Sequence, residues 1–193
     1  MAELAAPVRA RLARHRDLMA AVLASDIPEQ LATLAEHFVS SLRCGSKVLL
    51  FGNGGSSADA SHLAGELVGR LRRERAPSPA LSLGDQLAAV TALGNDFGFE
   101  EVFARGIEAF GQPGDLAVGL TTSGRSANVL RGLDVARKRG LHTTVFTGLG
   151  GADIIADVVV QIPSDDTQEI QEMTMHLGHT LCERIESALC GSG

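Results

Sequence analysis

The 193-residue chain contains no Trp and no Tyr, and aromatic residues make up only 4% of it. Its core must therefore be assembled from Leu, Val, Ile, Ala and a few Phe. Cysteine is scarce. Cys44, Cys182 and Cys190 follow no CxxC spacing, and an odd, sparse set argues against a disulfide scaffold and suits a reducing compartment. An excess of cations is also missing. Seventeen Lys and Arg stand against 23 Asp and Glu, for a net charge of −6, which argues against nucleic-acid binding through a broad basic face. No segment approaches the ~20 apolar residues of a membrane span. The opening "MAELAAPVRARLARHRD" mixes both charges and has no continuous apolar stretch of signal-peptide length. The expectation is a cytoplasmic protein with neither nucleic acid nor membrane as a partner.

What is present is the balance of a globular protein: 45% apolar and 21% charged residues, over a length that allows a real core. The one basic cluster is "GRLRRER", Gly69 to Arg75. It reads as the solvated end of a helix, where cations suit the dipole.

Residues 1–43 read as two helices. Leu12, Leu18, Val22 and Leu23 recur at helical spacing, as do Leu31, Leu34, Phe38 and Leu42, with Pro28 near a first turn. From residue 44 the pattern alternates. Strands are expected at 47–52, 79–83, 115–120, 142–148 and 158–163. Helices are expected from about Ser57 to Arg73, over "QLAAVTAL", over "FEEVFARGIEAF", over 126–139 and over 167–189, with "GNDFG" (94–98) as a connecting loop. Strands alternating with helices imply βαβ crossovers, a five-stranded parallel sheet and an α/β three-layer sandwich. No linker or internal repeat is visible. There is one echo: "FGNGGSSAD" and "LTTSGRSAN" are both Gly/Ser-rich loops that leave a strand and open a helix.

In an open α/β sheet, ligands bind beyond the carboxyl ends of the strands, where both loops fall. Backbone N–H groups at a helix start favour an anion, and hydroxyls add donors without bulk. Thr121, Thr122, Ser123 and Ser126 lie within six residues, a density that suits a phosphate monoester; a Ser/Thr cap after a glycine turn explains them equally well. The first loop fails the dinucleotide fingerprint, because Ser57 stands where a third Gly is needed. No G-K-[ST] closes it as in a Walker loop. His62 and Glu66 are i and i+4 and share a helix face. Gln171 and His179 share a face of the last helix, among Ile170, Met173, Leu177 and Leu181. His62 and Glu66 read as a surface pair or as part of a site, and His179 as a satisfied core histidine or as part of the same site. Together the four could form a mixed N/O shell for a divalent metal such as zinc, or Glu and His could form a base and an acid for proton transfer.

"FGNGGSSADASHLAGELVGR", "GNDFGFEEVF", "LTTSGRSANV" and "EIQEMTMHLGHTLCE" together resemble the sedoheptulose-7-phosphate isomerases of the sugar-isomerase (SIS) domain superfamily. The resemblance runs from about residue 20 to residue 189. It implies a single SIS domain with a flavodoxin-like core at 44–193 and N-terminal helices at 1–43 used in a homotetramer with shared active sites. It implies conversion of D-sedoheptulose 7-phosphate to D-glycero-D-manno-heptose 7-phosphate through an enediol. By position, Asn53, Gly54, Gly55, Ser56, Asn95 and Asp96 would contact the sugar phosphate, and Thr121, Thr122, Ser123 and Ser126 would hold the phosphate. His62, Glu66, Gln171 and His179 match zinc ligands, with Glu66 as base, His179 as acid, and Glu66 and Gln171 also touching substrate.

Three positions depart from that pattern. Glu169 stands where an Arg is frequent, Thr174 where a further His is frequent, and Arg125 where Asn is usual. "EIQEM" also resembles a non-catalytic SIS relative that binds the replication initiator DnaA, and a sensor that binds a sugar phosphate without turnover is a third possibility. The DnaA-binding relative lacks the helix Glu and the terminal His that are present here as Glu66 and His179, which favours the enzyme.

Overall fold

The structure is a computed structural model that describes residues 2–191. Among the described residues five short strands pair in parallel: β1 Val48–Gly52, β2 Ala80–Ser82, β3 Leu116–Thr121, β4 His142–Thr147 and β5 Val158–Gln161. Their spatial order is β2-β1-β3-β4-β5. Each of the inner strands β1 and β3 is buried at every residue, as a sheet covered on both faces requires.

Among the described residues seven α-helices accompany the sheet: α1 Ala2–Leu23, α2 Ile27–Arg43, α3 Gly55–Val68, α4 Leu87–Phe97, α5 Val102–Phe110, α6 Ala127–Lys138 and α7 Thr167–Leu189. Successive strand residues point to opposite faces, and the core divides accordingly. Val48, Leu50, Leu116, Val118, Leu120, Phe146 and Val160 pack with α2, α3, α7 and the end of α1; Leu49, Phe51, Ala117 and Val145 pack with α5 and α6. No residue of α4 is buried. The expected three-layer sandwich is what forms. No helix among the described residues is long and apolar enough to cross a membrane.

Two boundaries that differ from the sequence reading bear on the site. The helix expected from Ser57 to Arg73 runs from Gly55 to Val68. It stops early because the Glu186 carboxylate on α7 accepts the backbone N–H groups of Leu71 (3.0 Å), Arg72 (2.8 Å) and Arg73 (3.0 Å). Peptides turned toward another helix cannot continue their own. The basic cluster is correspondingly not all solvated. The Arg75 side chain is only 5% exposed and donates to the carbonyls of Glu66 and Leu67, both at 2.8 Å, which satisfies the open end of α3. The second difference is "GNDFG". Asn95 and Asp96 lie in the last turn of α4, and Gly98 alone turns the chain, at φ 92°.

Glu169, one of the atypical positions, is neutralised locally. Its Oε1 accepts from Arg11 (3.4 Å) and Arg14 (3.3 Å) of α1, and its Oε2 from the Ser164 hydroxyl (2.8 Å). The acid that replaces an expected Arg thus fastens α1 to the start of α7.

Candidate active site at the carboxyl end of the sheet

The strand order places the reversal of winding between β1 and β3. β1 leads into α3 on one face and β3 into α6 on the other, so their loops leave the sheet side by side at the usual ligand crevice. In the first loop Gly54 has φ +56° and a backbone carbonyl that accepts from Ser57 (3.1 Å), while the Asn53 carbonyl accepts from Ser56 (3.0 Å). In the second, Gly124 has φ +68° and lies so close to the 149–151 turn that a Cβ there would meet Gly151 Cα at 2.4 Å. The Arg125 N–H donates to the Ser123 hydroxyl (3.2 Å), and the Thr121 hydroxyl to that of Ser126 (3.2 Å). Ser126 occupies the N-cap of α6, yet its hydroxyl makes no capping bond to the helix. The cap reading of this loop is therefore not realised, and the hydroxyl stays at the crevice.

α3 and α7 run in the same direction beside these loops. Contacts climb both helices together: Gly55 against Gln171, Leu63 against Gly178, and residues 71–73 against Glu186. A Cβ at Gly178 would meet Leu63 Cδ1 at 2.7 Å, so this glycine permits the close approach. His62 and His179 meet as a result, Nε2 to Nε2 at 2.9 Å with rings edge to face. Glu66 Oε1 lies 3.2 Å from His62 Nε2. One ligand atom from each of the three residues falls within 4.8 Å of the other two. The trio is open on one side: the His62 side chain is 50% exposed and that of Glu66 19%. Two imidazole nitrogens and a carboxylate oxygen, close together and reachable, fit a zinc-type ion with a coordination position left for another ligand.

Half-buried Asp59 and buried Cys182 lie near enough to this trio to feel its charge. Burial raises the Asp59 carboxyl above its ordinary range, against the opposing charge of His62, and Asp59 Oδ2 has no hydrogen-bond partner among the described residues. Burial, with Glu66's negative charge second, pushes the Cys182 thiol up to about 12. It remains a neutral thiol and takes no nucleophilic part.

The residues expected at the site are thus sorted. His62, Glu66 and His179 converge, and the two Ser/Thr-rich loops adjoin. The Gln171 amide lies over Gly55, where a Cβ would meet Nε2 at 2.4 Å, beside the β1 loop. Asn95 and Asp96 are exposed on α4 and bonded to one another, Nδ2 to Oδ1 at 2.8 Å. Sequence reasoning missed Asn128, which joins the two loops, and Asp59. The only trace of either is a polar residue in the first turns of a helix, which marks no partner.

This fold and crevice are those of the SIS domain, whose family model matches residues 12–148; the chain belongs to that family. The phosphoheptose isomerase of Aquifex aeolicus is 50% identical over 164 residues, 84% of this chain and 86% of the other. That of Rhodospirillum rubrum is 46% identical over 86% of this chain and 89% of the other. The solved phosphoheptose isomerase of Neisseria gonorrhoeae superposes with a TM-score of 0.88 at 34% identity, covering 95% of this chain and 98% of that one. Within the SIS proteins this chain is an isomerase of the phosphoheptose isomerase family.

Proposed function

We propose that the chain interconverts D-sedoheptulose 7-phosphate and D-glycero-D-manno-heptose 7-phosphate through an enediol. The observation that supports this best is the meeting of His62, Glu66 and His179 beside two hydroxyl-rich loops. A proton-moving cluster next to an anion cradle is what an aldose–ketose isomerase needs.

In this reading Thr121, Thr122, Ser123 and Ser126 hold the phosphate, while Asn53, Gly54, Gly55, Ser56 and Gln171 fix the sugar chain. Glu66 takes the C1 proton of the ketose, and His179 protonates the C2 oxygen as the enediol forms. The proton is then returned at C2 and the O1 proton leaves, so the product is an isomer and no oxidant is consumed. Glu66 Oε1 faces His62, which leaves Oε2 for the proton transfer. Alternatively, His62, Glu66, Gln171 and His179 would hold a zinc ion, and the His179 nitrogen turned to the ion would then be a ligand and not the proton donor. When bound, the ion supplies Lewis acidity toward the substrate oxygens.

The active form in this proposal is a homotetramer in the cytoplasm, its single SIS domain spanning the chain and residues 1–43 serving in assembly. Leu4, Val8 and Leu12 of α1 are 79%, 59% and 65% exposed, and Leu87, Phe97 and Phe99 at α4 are 73%, 51% and 59% exposed. Apolar faces of this kind suit subunit contacts. Asn95 and Asp96, on α4 and turned outward, then serve a neighbouring subunit's site. The test is a coupled assay that detects the aldose phosphate from sedoheptulose 7-phosphate. Glu66→Gln and His179→Ala should each lower kcat by at least ~10²-fold while the fold stays intact. Wild-type protein that binds the ketose phosphate without equilibrating it would refute the proposal.

A further inference from the structure

The last paired residues of β1 and β3 are Gly52 and Leu120. Beyond them the two loops part toward opposite faces of the sheet, and the ladder no longer fixes the gap between them. One side-chain pair spans that gap. Asn53 Nδ2 donates to Asn128 Oδ1 and Asn128 Nδ2 donates to Asn53 Oδ1, both at 2.8 Å. Two primary amides facing in this way form a closed, self-complementary ring in which each gives one donor and one acceptor. The Val129 N–H donates to Asn128 Oδ1 at 3.0 Å and so sets which way the Asn128 amide faces. Asn128 is 3% exposed, so water cannot readily replace the pair.

We infer that Asn128 is a positioning residue for the reaction: it clamps the β1 loop to the start of α6 and so sets the spacing of the phosphate cradle. The inference rests on the proposed function. Asn128 reaches the substrate only through Asn53 and through the first turn of α6, which begins at the hydroxyl-bearing Ser126. A cradle that binds ground state and transition state alike acts on KM more than on kcat. A purely structural bond would move the melting temperature and leave that split alone.

The experiment compares wild type, Asn128→Asp, Asn128→Ala, Asn53→Ala and the Asn53→Ala/Asn128→Ala double variant. It measures kcat, KM and calorimetric affinity for inorganic phosphate. Asn128→Asp keeps the shape but presents an acceptor to Asn53 Oδ1, and it serves if the alanine variant does not fold. Expected are a KM raised about tenfold or more, a matching loss of phosphate affinity and a kcat within about threefold, as removal of uniform binding gives. The double variant should be no worse than Asn53→Ala alone, the mark of two residues acting as one unit. KM and phosphate affinity within about twofold of wild type, or single-variant losses that simply add, would overturn the inference. If the wild type fails to isomerise, the proposed reaction falls, and the phosphate arm still decides the clamp.

Discussion

Replacing Glu186 by Gln should destabilise the protein more than any other single-atom exchange on α7. The carboxylate is 1% exposed and accepts three backbone N–H groups, from Leu71, Arg72 and Arg73. Its Oε1 also lies 3.7 Å from the Nε of Arg75, a guanidinium only 5% exposed. Burial works against the charge, but the three N–H bonds and Arg75 outweigh it and hold the carboxyl below its ordinary value of 4.5. Removing one partner of a buried charge pair costs about 3–5 kcal/mol, because the other charge is left uncompensated. The Gln amide keeps one acceptor, so about 2–4 kcal/mol is expected from losing charge-assisted bonds. For a chain of this length that lowers Tm by roughly 4–16 °C. A carboxyl whose folded pKa is depressed contributes stability above its unfolded value and loses it as pH falls through the folded one. The gap between wild type and variant is therefore full at pH 7 and closes as pH drops below the ordinary value of 4.5. Denaturant unfolding of both proteins at one fixed concentration, at pH 7 and stepwise into acid, measures this. A difference under about 0.5 kcal/mol at pH 7, or one that does not shrink in acid, would refute the latch. Turnover is a second readout. Arg75 donates to the Glu66 carbonyl, so releasing it loosens the turn that carries the proposed base.

Two further outcomes can be measured directly. The Cys182 thiol is held neutral up to about 12, whereas the unfolded thiol ionises near 9.0; above that lower value wild-type stability should fall by about 1.4 kcal/mol per pH unit. With no Tyr in the chain and only Lys47 and Lys138 as lysines, few other groups share this limb. Cys182→Ala should flatten it, and equal alkaline slopes in the two proteins would show the assignment to be mistaken. Added zinc at about 100 times its Kd should stabilise wild type by about 2.7 kcal/mol, a rise of roughly 5–11 °C in Tm. His179→Ala should lose that rise, and a full shift in the variant would place the ion elsewhere.

Local physics was legible wherever the deciding residues are neighbours in sequence. α7 runs from Thr167 to Leu189 as its periodicity predicts, because its start is fixed nearby: Asp166 caps the N–H groups of Gln168 and Glu169. β1 reads as a buried strand and β3 as a strand from their apolar residues, and both prove buried throughout. The end of α3 was not legible, since the group that terminates it, Glu186, lies over a hundred residues away. Asn95 and Asp96 read as loop because Gly94 and Gly98 bracket them, yet α4 continues to Phe97 and only Gly98 takes positive φ.

The same division runs through the site. Sequence alone determined that His62 and Glu66 share a face, that Gln171 and His179 share another, and that two Ser/Thr-rich loops follow strands, because helix and strand periods are local properties of the backbone. Only the tertiary structure decided that α3 and α7 lie parallel and close enough, through Leu63 on Gly178, to bring His62 and His179 within 2.9 Å. It also laid the Gln171 amide over Gly55 and joined Asn53 to Asn128 across the gap between loops. Those outcomes depend on packing between segments about 75 and 117 positions apart, which no local periodicity encodes.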